Sequence, residues 1–439
     1  MAQAVVIGGG LAGGEAAWQL AQRGIAVTLY EMRPAARTPF HETDGLAELV
    51  CSNSLKSTDP MRAPGMLKEE LARLGSLLLE VAESVKLPAG AALAVDRVRF
   101  SQEVEARLSA HEQVRIVREP VESLEPFIEA TDTPVIIATG PATHPPLFAE
   151  LTALLGDDAL YFYDATSPIV AADSLDMDKL FFASRYGKGG GHDYLNAPMD
   201  EGEYKRFRQT LLSAELAPLH AGDEFVPFEG CLPIEELARR SEGAMRFGPL
   251  RPVGLAECAG GKPLYAVVQL RRENALDSAF SLVGFQTRLK QGAQKEAFRL
   301  IPGLEDARFL RFGRMHRNNY LCAPKHLNAT LQLRGHPHIF FAGQITGLEG
   351  YIAATATGLA AGTNAARLAQ GVEPVEFPRE TALGAMLHFM ANASVDSYAP
   401  TAFNLAMLPP VEGVRAKRNR REAALERARA ALAAFLQGE

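Results

Sequence analysis

Cysteine is scarce in this sequence: four occur in 439 residues, at positions 51, 231, 258 and 322. No two are spaced as in the C-x-x-C of a zinc site or the dense framework of a disulfide-stapled domain, so reduced thiols and no metal are expected. Long apolar runs are missing too. None reaches the roughly 18 to 20 residues of a membrane span. No basic segment precedes an apolar one at the N-terminus, so the sequence predicts a cytoplasmic protein with no membrane partner. Positive charge is not in excess, the formal net charge being −7. A polyanionic partner must therefore be met by a local basic cluster, because local potential rather than total charge attracts it. With 47% hydrophobic and 22% charged residues the composition is that of ordinary globular domains, and the length allows two or three of them.

What is present is concentrated at the start. Ala4-Val5-Val6-Ile7 runs into Gly8-Gly9-Gly10-Leu11-Ala12-Gly13-Gly14-Glu15, a helix-compatible stretch continues to Arg23, Gly24 stops it, and a second apolar run ends at Glu31. Strand, glycine-rich turn, helix and strand in this order form a nucleotide-binding βαβ unit. The glycines at 8, 10 and 13 permit a tight turn, approach of a pyrophosphate to the backbone, and close helix packing. The helix start, from Gly9 and Gly10 through Leu11 and Ala12, supplies unpaired N–H groups and positive potential to the phosphates. Glu31 stands where an acid accepts hydrogen bonds from an adenosine ribose.

Two later segments favour FAD over NAD. Val135-Ile136-Ile137-Ala138-Thr139-Gly140-Pro141 reads as a buried strand ending in a small-residue turn. Ile339-Phe340-Phe341-Ala342-Gly343 leads through Gln344 to Glu349-Gly350-Tyr351 and a helix of small residues from Ala353 to Gly358. Such a helix brings its N-terminus close to a flavin ring, where its dipole stabilises negative charge on the reduced ring. Because this segment lies near residue 340, the FAD-binding part must be built from both ends of the chain. The expected fold class is α/β: a discontinuous Rossmann-type FAD-binding domain over 1–166 and 303–439, with an inserted α+β domain over 167–302. Within the insertion, Leu264 to Leu270 reads as a strand and Glu203 to Leu216 as a helix. Gly187-Lys188-Gly189-Gly190-Gly191-His192 lacks the order of a phosphate loop and reads as a flexible surface loop.

Two thiols stand in settings unlike core packing. Cys51 opens the polar run Cys51-Ser52-Asn53-Ser54-Leu55-Lys56, where a helix start and Lys56 would both lower its pKa. Cys231 lies in Gly230-Cys231-Leu232-Pro233, a turn that presents the side chain. On composition alone each is a packing residue about as often as a reactive one. A disulfide reductase is excluded, since the fifth residue after Cys51 is Lys56. A flavin oxidoreductase that uses neither cysteine stays open.

Several order-preserving segments carry a resemblance over essentially the whole chain. They are Gly8 to Glu15, Glu31-Met32-Arg33-Pro34, Cys51 to Leu55, Ala94-Val95-Asp96-Arg97, Tyr163-Asp164-Ala165 with Ser167 to Val170, Glu229 to Glu236, Met315-His316-Arg317-Asn318 and Leu348-Glu349-Gly350-Tyr351. Together they resemble the folate- and FAD-dependent tRNA uracil-54 C5-methyltransferases. A related, larger flavoprotein that modifies the tRNA wobble uridine has a long C-terminal helical domain without a counterpart here. The resemblance implies that methylene passes from 5,10-methylenetetrahydrofolate through flavin N5 to uracil C5, with NAD(P)H as reductant. It also implies Cys231 as the nucleophile that adds to uracil C6 and Cys51 as the base that removes the C5 proton, either thiol being chemically able to add. His316, with Arg317 and Asn318 beside it, is implied to hold the folate by stacking on its pteridine, and Tyr351 to face flavin or folate. The residues alone leave open a ribosomal RNA uracil as target, or a small-molecule oxidoreductase.

For tRNA, the candidate contacts are basic segments. Residues 415 to 429 hold seven basic and two acidic side chains. Leu425, Ala428, Leu432 and Phe435 recur there at helical spacing, as in a helix docked by one face with its basic face free. Arg185, Lys188, Lys205, Arg206 and Arg208 form a second candidate patch.

Overall fold

The protein is described from a computed structural model, which covers residues 2–156, 160–255, 264–414 and 416–438. Apolar residues of Gln3–Ile7 and Ala26–Tyr30 form two parallel neighbours at the centre of a six-stranded sheet. Its strand order is Gln332–Leu333, His336–Phe341, Val135–Ile137, Gln3–Ile7, Ala26–Tyr30, Val114–Val117. All pairings are parallel except that of Gln332–Leu333. Val135–Ile137 and His336–Phe341 come from distant parts of the chain yet lie side by side, so both ends of the sequence do build one sheet. Central parallel strands buried on both faces explain why these segments read as continuous apolar runs.

Helix Leu11–Gln22 follows the first strand, and Arg23 and Gly24 end it, Gly24 in the left-handed region. The small-residue helix Tyr351–Ala369 packs on it. Glycine is required at that crossing: a Cβ on Gly358 would lie 2.2 Å from the carbonyl oxygen of Ala12, and one on Gly362 2.6 Å from that of Ala16.

A second six-stranded sheet, antiparallel throughout, runs Phe181–Ala183, Tyr194–Met199, Ala266–Arg272, Ala279–Leu282, Ile169–Ala171, Phe309–Arg311. Helix Glu201–Ser213 buries Tyr204, Phe207 and Leu211 in that sheet's own core. Its capping box, Asp200 with Glu203, sets its start. The strand Phe309–Arg311 still pairs with Ile169 and Val170, and Leu304 and Ala307 pack in the same core. The chain therefore leaves the second sheet after Arg311, later than residue 303. Between the sheets lies a two-stranded ribbon, Leu160–Ala165 with Met315–Tyr320. A three-stranded sheet joins Ser54–Ser57 to Ala92–Val95 and Lys86–Leu87.

The C-terminal helix Lys417–Gly438 docks as its spacing predicts: Leu425, Ala428 and Leu432 are buried, and Phe435 meets Phe377 with ring centroids 5.0 Å apart. No described helix is long and apolar enough to cross a membrane.

Candidate active site

The glycine turn is built by close approach. Gly8 takes φ +108°, and a Cβ there would meet the Ala138 carbonyl oxygen at 2.5 Å. A Cβ on Gly13 would sit 1.7 Å from the Gly8 carbonyl oxygen, so the helix rests directly on the turn. Gly10 differs. It caps the helix in an extended conformation, φ −75°, and a Cβ there would meet nothing within 4 Å. The protein itself gives no reason for glycine at 10, and the open space lies where a pyrophosphate would approach the helix N-terminus.

Glu31 holds this turn in place. One oxygen accepts from the Gly9 N–H at 3.0 Å; the other accepts from the Arg33 N–H at 3.0 Å and Nε at 2.8 Å. Burial opposes its charge, but Arg33 and the backbone donors outweigh it and hold the carboxyl below its ordinary value. Across the cleft Gly343, at φ +85°, lies against Ala12 and donates its N–H to Thr357 Oγ1 at 2.8 Å, while Gln344 Nε2 donates to Glu349 Oε1 at 2.6 Å.

These residues open on one cavity of about 430 Å³. Its lining brings together Gly8 to Ala12, Glu31, Gly343, Gln344 and Tyr351 with both Cys51 and Cys231. Tyr351 pins the thiol-bearing segment: its hydroxyl oxygen accepts from the N–H groups of Cys51 at 2.7 Å and Ser52 at 3.1 Å. The Cys51 thiol donates to the Ala165 carbonyl at 3.7 Å.

Cys51 precedes a strand, Ser54–Ser57, rather than a helix. The expected activation by a helix terminus is therefore absent. Burial and the Asp164 carboxylate push its thiol up to about 12, against the pull of Arg97, Arg311 and Arg271. Cys231, at the end of the turn Glu229–Cys231, is pushed up by burial, Asp164 and Cys51, with Lys56 opposing. Both thiols are protonated at neutral pH in this state. Cys322 is buried, and Cys258 lies outside the described residues.

Strand alternation sorts the Met315-His316-Arg317-Asn318 stretch. His316 and Asn318 line the cavity. Arg317 turns the other way, pairing with Asp223 at 2.8 Å and covering Tyr161 at 4.1 Å. The His316 ring lies 4.8 Å from that of Phe40. Burial and Arg311 push its imidazole down to about 4, so it is neutral. His316 Nδ1 and Asn318 Oδ1 are buried and have no hydrogen-bond partner among the described residues. Orphaned polar atoms on a cavity wall call for a polar ligand.

Two carboxylates emerge here to which the sequence alone gives no role. Asp164, cross-strand neighbour of His316, is pushed up to about 6 by burial, and Glu349 up to about 8 by burial and Asp164. Lys56, lining the same cavity with φ +64°, lowers both. Among the described residues no cluster of His, Cys, Asp or Glu suits a metal ion.

A parallel sheet with a glycine turn, completed by a late strand and interrupted by a second sheet, is the architecture of this chain, which belongs to the GidA family. Two crystal forms of Aquifex aeolicus GidA superpose with TM-scores of 0.66 and 0.68 at 17% identity, covering 98% of this chain and 73% and 76% of theirs. Residues 3–373 match the family described as "Glucose inhibited division protein A". Within that class the chain belongs to the methylenetetrahydrofolate--tRNA-(uracil-5-)-methyltransferase family TrmFO. The Moorella thermoacetica member is 51% identical over 408 residues, 93% of this chain and 92% of its own. The Desulfitobacterium hafniense member is 51% identical over 436 residues, 99% and 98% of the two chains, and that of Geobacter sulfurreducens 50% over 427, 97% of each.

Proposed function

We propose that the protein makes 5-methyluridine at position 54 of tRNA in the cytoplasm, with 5,10-methylenetetrahydrofolate as one-carbon donor and NADH or NADPH as reductant. The observation that carries this reading is the meeting of Cys51 and Cys231 in the cavity onto which the dinucleotide turn opens. The residues fit FAD: the open space at Gly10 suits a pyrophosphate, and Gly9, Leu11 and Ala12 present the helix N-terminus to it. Glu31 keeps one free lone pair, on the oxygen that accepts from Gly9, for a ribose, while Gly343, Gln344 and Tyr351 stand on the side of the ring. Bound there, FAD supplies a carrier for the methylene and the electrons that make it methyl. The two separate cores support dividing the chain near residue 167 and again after Arg311, later than residue 303.

Cys231 Sγ adds to uracil C6, which turns C5 into a nucleophile. Its thiol proton has to leave first, and the Asp164 carboxylate, its proton affinity raised to about 6, stands in the same cavity to take it, whereas Glu349, raised to about 8, is itself protonated at neutral pH. Cys51 takes the C5 proton as a thiolate, its own thiol proton having first left to solvent through the Asp164 carboxylate of the same cavity. Neutral His316 stacks on the pteridine, and its Nδ1 with Asn318 Oδ1 offers the polar contacts that the protein leaves unfilled. Arg317 acts from outside the cavity, through Asp223.

The C-terminal helix supports a tRNA contact only in part. Arg427 donates to the Pro409 and Pro410 carbonyls, and Arg429 forms a two-pronged pair with Glu69 at 2.7 and 2.8 Å. Arg418 and Arg420 are exposed. Replacing both with Ala should flatten the log–log salt dependence of tRNA binding by about 0.7 to 0.9 per phosphate no longer neutralised. An unchanged slope would remove this helix from the interface. The function as a whole is tested by nucleoside analysis of a deletion strain, in which tRNA should lose 5-methyluridine while ribosomal RNA is unaltered. Intact 5-methyluridine in tRNA would refute it.

A further inference from the structure

The glycine-rich loop of the inserted part is held tightly. The Asp193 carboxylate accepts from the N–H groups of Gly90 at 2.6 Å and Gly190 at 3.1 Å, and Tyr194 donates its hydroxyl to the Ala89 carbonyl at 3.0 Å. Gly90 leads into Ala92–Val95, which pairs with Ser54–Ser57; Ser54, Leu55 and Lys56 line the catalytic cavity. The loop is thus fixed one strand away from the cavity rim.

At its start Tyr186 adopts φ +60°, a left-handed conformation costly for an aromatic residue. The strain presents the ring outward: Tyr186 is 60% exposed, with the ring resting on Gly254, where a Cβ would come within 3.0 to 3.1 Å of three ring atoms. Arg251 donates to the Tyr186 hydroxyl at 2.9 Å, and Arg185 donates to the Arg251 carbonyl at 2.7 Å, so one guanidinium meets the hydroxyl and the second is tied to the backbone of the first. Lys188 is exposed beside them. Among the described residues none of these three cations forms an ion pair, and the one nearby acid of the loop, Asp193, is turned inward onto backbone N–H groups. Burial and the Arg251 charge push the Arg185 guanidinium below its ordinary value, as expected of like charges without a counter-ion.

We infer that Tyr186 with Arg185, Lys188 and Arg251 is an RNA-docking platform outside the catalytic cavity, where an unpaired base of the substrate stacks on Tyr186 and adjoining phosphates meet the three cations. The inference rests on the RNA-methylating reading above. An exposed aromatic face beside cations that pair with no described acid is the pairing that single-stranded RNA selects: a π-face for a base and charge for its backbone. The candidate patch read from the sequence narrows accordingly. Lys205 pairs with Glu201, which offsets its charge.

The test uses FAD-loaded protein and an unmodified tRNA transcript. Tyr186→Gly deletes the ring and suits the left-handed backbone, and Tyr186→Trp keeps an aromatic face; Lys188→Ala with Arg251→Ala removes two charges together with the Arg251 hydrogen bond to the Tyr186 hydroxyl. We expect Tyr186→Gly to raise the Kd and KM for tRNA about 10-fold at unchanged kcat and flavin content, with Tyr186→Trp close to wild type. The double charge variant should flatten the salt slope of binding by about 0.7 to 0.9 for each phosphate it ceases to neutralise. Unaltered Kd and slope in all variants, with a wild type that binds and methylates the transcript, would overturn the platform and leave the methyltransferase reading standing. A wild type that binds the transcript with the expected losses but never methylates it would do the reverse. Equal losses in Tyr186→Gly and Tyr186→Trp would overturn stacking as the means of recognition.

Discussion

Cys231→Ser is expected to abolish methylation while leaving fold and flavin content unchanged. A serine hydroxyl near neutral pH is a far poorer nucleophile than a thiolate. Uridine replaced by 5-fluorouridine at the target makes the distinction sharp. Fluorine cannot leave C5 as a cation, so wild-type protein turning over with folate and reductant should remain covalently attached to the RNA. Cys231→Ser should form no such adduct. Cys51→Ala should still form one, and on ordinary uridine should turn over at least ~10²-fold more slowly, the scale of a positioned acid–base group. Denaturing gels and peptide mapping of the adduct read both results. An adduct that survives loss of Cys231 and vanishes with loss of Cys51 would reverse the two roles. Normal turnover in both variants would remove the thiols from the mechanism.

Gly10→Val and Gly13→Val should fail in different ways. The space around Gly10 is open and its backbone is extended, so valine there leaves the fold intact but fills the position where the pyrophosphate meets the helix. Soluble, cooperatively melting, colourless protein is the expected product, against yellow wild type. At Gly13 the added carbon meets the Gly8 carbonyl oxygen at 1.7 Å, within the fold itself. That variant should lose stability on the scale of severe core overpacking, about 1–3 kcal/mol or more, and much of its soluble yield. A yellow Gly10→Val protein with full flavin content would displace the cofactor from this turn.

Much of this arrangement is legible in the sequence because it rests on local rules. The turn at Gly8 to Gly13 and the acid at Glu31 are set by backbone geometry within one βαβ unit, and the docking face of Leu425, Ala428 and Leu432 by helical period. The distant strands Val135–Ile137 and His336–Phe341 are also visible, as apolar runs feeding glycine turns. Arg317 groups with His316 and Asn318 in sequence because they are contiguous, whereas a strand sends alternate side chains to opposite faces. Cys51 resembles a helix-start thiol because its polar run is compatible with a cap; tertiary pairing with Ala92–Val95 makes the segment a strand and surrounds the thiol with carboxylate and burial instead. Asp164 and Glu349 are ordinary acids in sequence. Their proton affinity comes from neighbours far along the chain, which no local pattern encodes.

The most direct measurement of the central claim follows one carbon. Purified protein, an unmodified tRNA transcript, NADH or NADPH, and 5,10-methylenetetrahydrofolate labelled in its methylene group are combined, and the digested nucleosides are separated. The account predicts label in 5-methyluridine at position 54, lost when Cys231 is serine or uridine 54 is replaced by cytidine, and no label when S-adenosylmethionine carries it instead. Absence of folate-derived label from tRNA with flavin-loaded wild-type protein, or its appearance from S-adenosylmethionine, would contradict it.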